Sequence, residues 1–202
     1  MSFKVFDVKG DGHCYYRCIY HLAMACEEVS DALYINHMDD EDEAVQEIRY
    51  YVSMAVKFPC PTRETMVNLI KLHEQVPSLV EDYPILKYVD HNDSIQKNCE
   101  RISLAIENSS VYASSVEHGV VQSTLADTCD IQIVILHCHH DESLEDLVEK
   151  WKTHLWKAVI VSTCRQIMVL VNKDNIHYQY VKINGKIILS KDDVLEYLND
   201  DE

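Results

Sequence analysis

Residues 10–24 read Gly10-Asp11-Gly12-His13-Cys14-Tyr15-Tyr16-Arg17-Cys18-Ile19-Tyr20-His21-Leu22-Ala23-Met24. Only four glycines occur in the 202 residues, and two of them bracket Asp11 just before Cys14. Glycine tolerates φ > 0 and lets another part of the chain come close, so the spacing predicts a tight turn with free amides. The residues after it predict a helix that stacks Cys14, Cys18 and Leu22 on one face. Cys14 then stands at a helix N-terminus, where the positive end of the helix dipole lowers a thiol's pKa and stabilises a thiolate. A buried structural cysteine after an ordinary turn fits the same pattern, because free cysteine is among the most buried side chains.

The partner for such a nucleophile lies near the other end. Asn172-Lys173-Asp174-Asn175 is a polar loop, and His177-Tyr178-Gln179-Tyr180-Val181 reads as a strand rich in aromatic and β-branched residues. A cysteine nucleophile needs a base that takes its proton and later protonates the leaving amine, and histidine is the usual choice. His177, at a loop-to-strand junction, can be held rigid with its ring facing a cleft. It is one of eleven histidines, so position alone does not single it out.

Together the two segments resemble the ovarian tumour (OTU) family of cysteine deubiquitinases, which carries a D-G-x-C box before a helix and a late H-Y or H-F on a strand. Asp11-Gly12-His13-Cys14 matches the box, Arg17 stands at the basic position often seen one turn on, and His177-Tyr178 matches the second motif. A helix ending Leu125-Ala126, then Asp130 and the strand Ile131-Gln132-Ile133-Val134-Ile135-Leu136, is similar to a helix-strand unit of that family. The Trp-Gly pair that usually precedes it is missing; Val116-Glu117-His118-Gly119 stands near its place. The likeness covers about thirty residues closely and the rest of the chain loosely.

The resemblance implies a single papain-type domain over residues 1–202, with a central, mostly antiparallel sheet flanked by helices. It implies thiol-dependent hydrolysis of an isopeptide or peptide bond after ubiquitin or a ubiquitin-like modifier, without cofactor or metal. Cys14 would be the nucleophile and His177 the general base, with Asp11, which shapes the loop in that family, as a further site residue. The backbone amides from Asp11 to Cys14 would form the oxyanion hole. Many relatives place Asp or Asn two residues after the histidine, on the same face of the strand; here that position is Gln179. The expected order for the group orienting His177 is Gln179 or none first, Asn175 second, and Asp7 last if the N-terminal segment folds back. Two other readings stay open: a catalytically weak or inactive ubiquitin-binding module, and a thiol acyl-hydrolase of another class.

Composition agrees. With 47% hydrophobic side chains in 202 residues, one domain with a sizeable core is expected. No apolar run approaches the ~18–20 residues of a membrane span, and no signal-peptide pattern opens the chain. The eight cysteines (14, 18, 26, 60, 99, 129, 138, 164) form no C-x-x-C pair, which argues against a disulfide framework and a paired-knuckle zinc site. Reduced thiols in an intracellular, cytoplasmic setting fit, including a host cytoplasm if a pathogen makes the protein. The net charge of −16 repels nucleic acid and anionic membrane and favours a basic partner, such as the arginine-bearing ubiquitin tail. The chain is expected to act as a monomer.

Helical patterns follow at Glu43 to Lys57, with acidic residues at its start; from a Thr62 cap through Met66, Leu69, Ile70 and His73; from Asp93 or Ser94 through Ile106; and from a Ser143 cap through Leu155, burying Leu147, Val148 and Trp151. Strands are expected at Ala158 to Ser162, Gln166 to Val171, His177 to Ile183 and Lys186 to Leu189, with Asn184-Gly185 as a hairpin turn. Ser190-Lys191-Asp192-Asp193 starts a last helix through Leu198 as a capping box. Helices first and strands late predict an α+β fold. His137-Cys138-His139-His140 with Asp141 and Glu142 carries metal-ligand types, but neighbours on an extended chain point to opposite faces, so a solvated loop is the simpler reading. The acidic run Asp39 to Glu43 reads as a helix start rather than a docking patch. Trp151 and Trp156 read as core rather than partner surface.

Overall fold

The structure is a computed structural model that describes residues 3–58, 61–108, 113, 115–139 and 142–199. Strand β1 (Phe3–Phe6) leads to α1 (Cys14–Ala23), α2 (Glu27–Ala32), α3 (Glu41–Lys57), α4 (Pro61–Gln75), the short α5 (Leu79–Asp82), a 3₁₀ turn (Pro84–Tyr88), α6 (Ile95–Asn108) and α7 (Ser115–Cys129). Then come β2 (Ile131–Cys138), α8 (Leu144–Val161), β3 (Gln166–Lys173), β4 (His177–Ile183), β5 (Ile188–Ser190) and α9 (Lys191–Asn199). The fold is α+β.

The sheet runs β1-β4-β3-β2, with β5 also paired to β3. Three pairings are antiparallel, and β2–β3 is parallel. The parallel pair follows from α8, because parallel neighbours need a crossover between them. One core lies between α1, α3, α6, α7 and the sheet face carrying Tyr178, Tyr180, Met168 and Leu170. The other packs Trp151, Leu155 and Val159 of α8 onto Val169, Val171, Val181 and Ile183. Strand alternation thus turns Tyr178 and Tyr180 of β4 toward α1 and Val181 and Ile183 toward α8.

Several local expectations hold. Asp40 caps α3 by accepting from the Glu43 N–H at 2.9 Å. Ser94 Oγ accepts from the Lys97 N–H at the start of α6. Ser190 and Asp193 form the reciprocal capping box, each side chain accepting the other's N–H at 3.0 Å. Asn184 and Gly185 both take positive φ, 51° and 80°, as the hairpin turn requires.

Other expectations change. Ala158 to Val161 is the last turn of α8, not a strand. Its β-branched run imitates a strand, but Trp151, Leu155 and Val159 recur at helical spacing and are buried together. Lys186 still bridges Ile183, but the chain then leaves β4, and β5 pairs with β3 instead. α4 begins at Pro61, a residue suited to a first helical position, so Thr62 lies inside the helix rather than before it. Asn172 and Lys173 belong to β3, and Asn172 is buried. The two tryptophans divide: Trp151 is buried with its ring 4.4 Å from Phe3, whereas Trp156 is 51% exposed. Strand β1, α2 and α5 carry too few residues for periodicity to disclose. Cys60, His140 and Asp141, and the side chains of Thr62, Leu147 and Leu198, lie outside the described residues. No described helix is long and apolar enough to cross a membrane.

Candidate active site

Cys14 is the first residue of α1 and 1% exposed. The two glycines before it do different work. Gly12 takes φ +84°, the left-handed region that an L side chain resists. Gly10 supplies space: a Cβ there would lie 3.7 Å from Nδ1 and Cε1 of His177. Between them Asp11 accepts the His13 N–H at 3.1 Å through Oδ1, and Oδ2 receives Arg17 Nη2 at 2.5 Å. Arg17, itself buried, also binds Glu41 at 2.7 Å and Asp42 at 2.5 Å. The acidic run therefore starts α3 and also clamps Arg17. Burial pushes the Asp11 carboxyl up, but the Arg17 guanidinium and the His13 N–H outweigh it and hold Asp11 well below the usual carboxylate range.

A second buried arginine supports the same loop. Arg49 of α3 is fully buried, with Nη1 3.2 Å from His13 Nδ1 and its guanidinium 4.9 Å from the Tyr16 ring centre. An arginine cannot accept, so His13 Nδ1 does; burial and then Arg49 push the His13 pKa down. Tyr16 donates to buried Glu117 at 2.9 Å. His118 packs its ring 4.4 Å from Tyr15 and 5.2 Å from Tyr178, and burial, with a contribution from His137, pushes it down to about 4. Thus Glu117-His118, near the place of the missing Trp-Gly pair, packs behind the helix start.

The long-range partner is the start of β4. Tyr178 N–H donates to Cys14 Sγ at 3.3 Å, and the thiol points to the Ile176 carbonyl at 3.7 Å. The cysteine sulfur is thereby held against the backbone on both sides of His177. Asp174 and Asn175 make this possible, taking φ of 53° and 61° in the turn from β3; Asp and Asn are the side chains that tolerate such angles best.

His177 Nε2 lies 2.6 Å from Asp7 Oδ1. An ionised carboxylate only accepts, so Nε2 carries the proton and Nδ1, on the Gly10 side, is left as the basic nitrogen. This corrects the expected order of orienting groups. Asp7, placed last, bonds the imidazole, because β1 folds back and pairs with β4 at Phe6↔Tyr180. Gln179 Nε2 donates to the same Asp7 oxygen at 3.2 Å. Asn175 Oδ1 faces His137 Nδ1 at 3.2 Å instead. The bond from His177 lowers the Asp7 pKa; burial, the next largest effect, opposes it, and the bonds from Gln179 and Val8 add to the lowering.

The thiolate expected from the helix N-terminus is also corrected. Burial pushes the Cys14 thiol above its ordinary value, although the N–H groups of Tyr178, Tyr15 and Cys14 all pull it down. In this state Cys14 is a covered thiol. The oxyanion hole is constrained as well, since the His13 N–H already serves Asp11.

A cleft of about 400 Å³ opens beside Asp7, lined by Lys9, Arg17, His21, Asp40, Glu41 and Asp42 among others. No group of three His, Cys, Asp or Glu side chains among the described residues could hold a metal ion. Described cysteines are all free thiols. Comparison with protein-family models, with curated proteins and with solved structures finds no match for this chain.

Proposed function

We propose that this protein is a cysteine hydrolase of the OTU type that cleaves isopeptide or peptide bonds after ubiquitin or a ubiquitin-like modifier. The observation that carries the reading is the junction of Cys14 with the start of β4: the sulfur lies between Ile176 O and Tyr178 N–H, and the intervening His177 is held by Asp7. A nucleophile, a base and a carboxylate that orients the base are the group types that acyl transfer uses.

In this reading His177 Nδ1 takes the Cys14 proton as Sγ attacks the carbonyl carbon of the modifier's terminal glycine. Asp7 stabilises the imidazolium that forms. The oxyanion is met by the amides of Asp11, Gly12 and Cys14. Collapse of the tetrahedral species expels the lysine amine, which leaves with the proton from His177, and a thioester on Cys14 remains. Water, deprotonated by the same imidazole, hydrolyses it and restores the thiol. The acidic lining beside Asp7 suits a modifier tail that carries basic side chains.

Burial of Cys14 favours one competing reading, a weak or inactive modifier-binding module, because a covered thiol with a raised pKa is a poor nucleophile. A mono-ubiquitin probe with a C-terminal electrophile separates them. Covalent capture at Cys14, abolished by Cys14→Ala, supports hydrolysis. Binding without capture supports the module, and neither binding nor capture leaves a thiol acyl-hydrolase of another class.

A further inference from the structure

Asp7 is an awkward residue on which to rest the orientation of a histidine. It follows the last residue of β1, an edge strand, and its side chain is 72% exposed. A carboxylate in that position would ordinarily sample several rotamers in water. Here one oxygen, Oδ1, receives three donors: His177 Nε2 at 2.6 Å, the Val8 N–H at 3.0 Å and Gln179 Nε2 at 3.2 Å. The Val8 bond is local to the turn, so it moves with Asp7. Gln179 adds to the histidine's own bond a second tie between the carboxylate and β4. His177 and Gln179 are two apart on β4 and so share a face. The backbone of Gln179 is fixed opposite Val171, inside the paired length of β3 and β4.

We infer that Gln179 is a positioning residue, acting through Asp7: its amide holds the carboxylate against His177 Nε2 and leaves Nδ1 on the Gly10 side. The chemistry of the side chain matters here. An Asp or Asn at this position can accept from the imidazole directly; a glutamine that donates to a second residue instead shifts the accepting oxygen from β4 to β1. Donor and acceptor then belong to strands that pair with each other, and the orientation of His177 depends on β1 staying docked. The inference rests on the hydrolase reading only for its kinetic arm.

The test compares Gln179→Ala, Gln179→Glu and Asp7→Ala, singly and with Asp7→Ala combined with each. Gln179→Glu is isosteric but offers acceptors only, so it repels Asp7. The first readout needs no substrate: the His177 ring Nε2–H resonance in nitrogen-correlated NMR, protected from exchange in the parent. It should be lost in Asp7→Ala and in Gln179→Glu, and its exchange should quicken at least tenfold in Gln179→Ala. The second readout is turnover of a fluorogenic ubiquitin substrate. Gln179→Ala should lower kcat about tenfold and Gln179→Glu more, with KM unchanged, and neither should lower it further in the Asp7→Ala background. Parent-like protection of the ring proton in Gln179→Glu, or losses that add to that of Asp7→Ala, would overturn the inference. If the parent itself turns over no ubiquitin substrate, the hydrolase reading fails and the ring proton alone decides the role of Gln179.

Discussion

Asp7 Oδ1 and His177 Nε2 meet at 2.6 Å although 170 positions separate them. The contact exists because β1 pairs with β4 in a register that sets Phe6 opposite Tyr180, which brings the next residue of β1 toward the beginning of β4. Phe6 and Tyr180 stack at 5.2 Å and hold that register from the side-chain level as well.

Asp7→Ala is therefore expected to lower kcat by about a hundredfold or more, the scale of a mispositioned general base. Asn175→Ala, whose side chain serves His137, should change it less than threefold. Steady-state kinetics on the two variants checks this, and a larger loss in Asn175→Ala contradicts the assignment.

The raised pKa of Cys14 has a direct kinetic consequence. Burial favours the neutral thiol, so the thiolate fraction at neutral pH is lower than for an ordinary cysteine of pKa 9.0. Alkylation of Cys14 by iodoacetamide, followed by mass spectrometry, should keep rising as pH passes 9. A rate already level at pH 7 would mean a preformed thiolate–imidazolium pair.

Asp11 performs two tasks that substitution can separate. Asp11→Asn keeps an oxygen for the His13 N–H but removes the charge facing Arg17, whereas Asp11→Ala removes both. Thermal unfolding should rank the alanine variant below the asparagine one, with each lost bond costing about 1–3 kcal/mol. The pH sign follows from the lowered pKa: Asp11 contributes its stability above about 4, the unfolded carboxylate range, and loses it only as pH falls well below that value. Equal stability of the two variants would show that the His13 N–H gains nothing from the side-chain oxygen, and an asparagine variant as stable as the parent would show that Arg17 gains nothing from the carboxylate.

The two glycines before Cys14 should respond differently. Gly12→Ala forces a Cβ into the left-handed region and is expected to cost about 1–2 kcal/mol. Gly10→Ala places a methyl at ordinary contact with the His177 ring and should leave stability within about 0.5 kcal/mol. Urea denaturation of both measures the difference, and a reversed order would contradict the loop geometry.

Tyr16→Phe removes one donor from Glu117, a carboxylate buried between α1 and α7. A loss of about 1.5–3 kcal/mol is expected, the range for hydrogen bonds to charged groups. Unfolding free energy from urea titration decides it, and an unchanged value would mean that Glu117 is neutral or otherwise satisfied.

Local chemistry was legible from the chain alone: the turn at Gly10 to Cys14, the helix after it, the acidic start of α3, the capping box at Ser190, the strand from His177 to Ile183. Each depends on side chains within four residues of one another, where spacing and turn preference act directly. Burial and partnership were not legible. Arg49 carries a charge that would ordinarily stay in water, but it stands in the buried stripe of α3 between Val45 and Val52, and α3 packs against both α1 and α6, so the arginine is enclosed. The valines and isoleucine at the end of α8 have strand propensity, which the packing of Leu155 and Val159 overrides. The thiol of Cys14 lies at a helix N-terminus, as its position in the chain requires, yet burial raises its pKa although the Tyr178 N–H of β4 pulls the other way. The choice of Asp7 over Gln179 as the group on His177 was settled by the pairing of β1 with β4, because register between distant strands depends on cross-strand packing that no local pattern encodes.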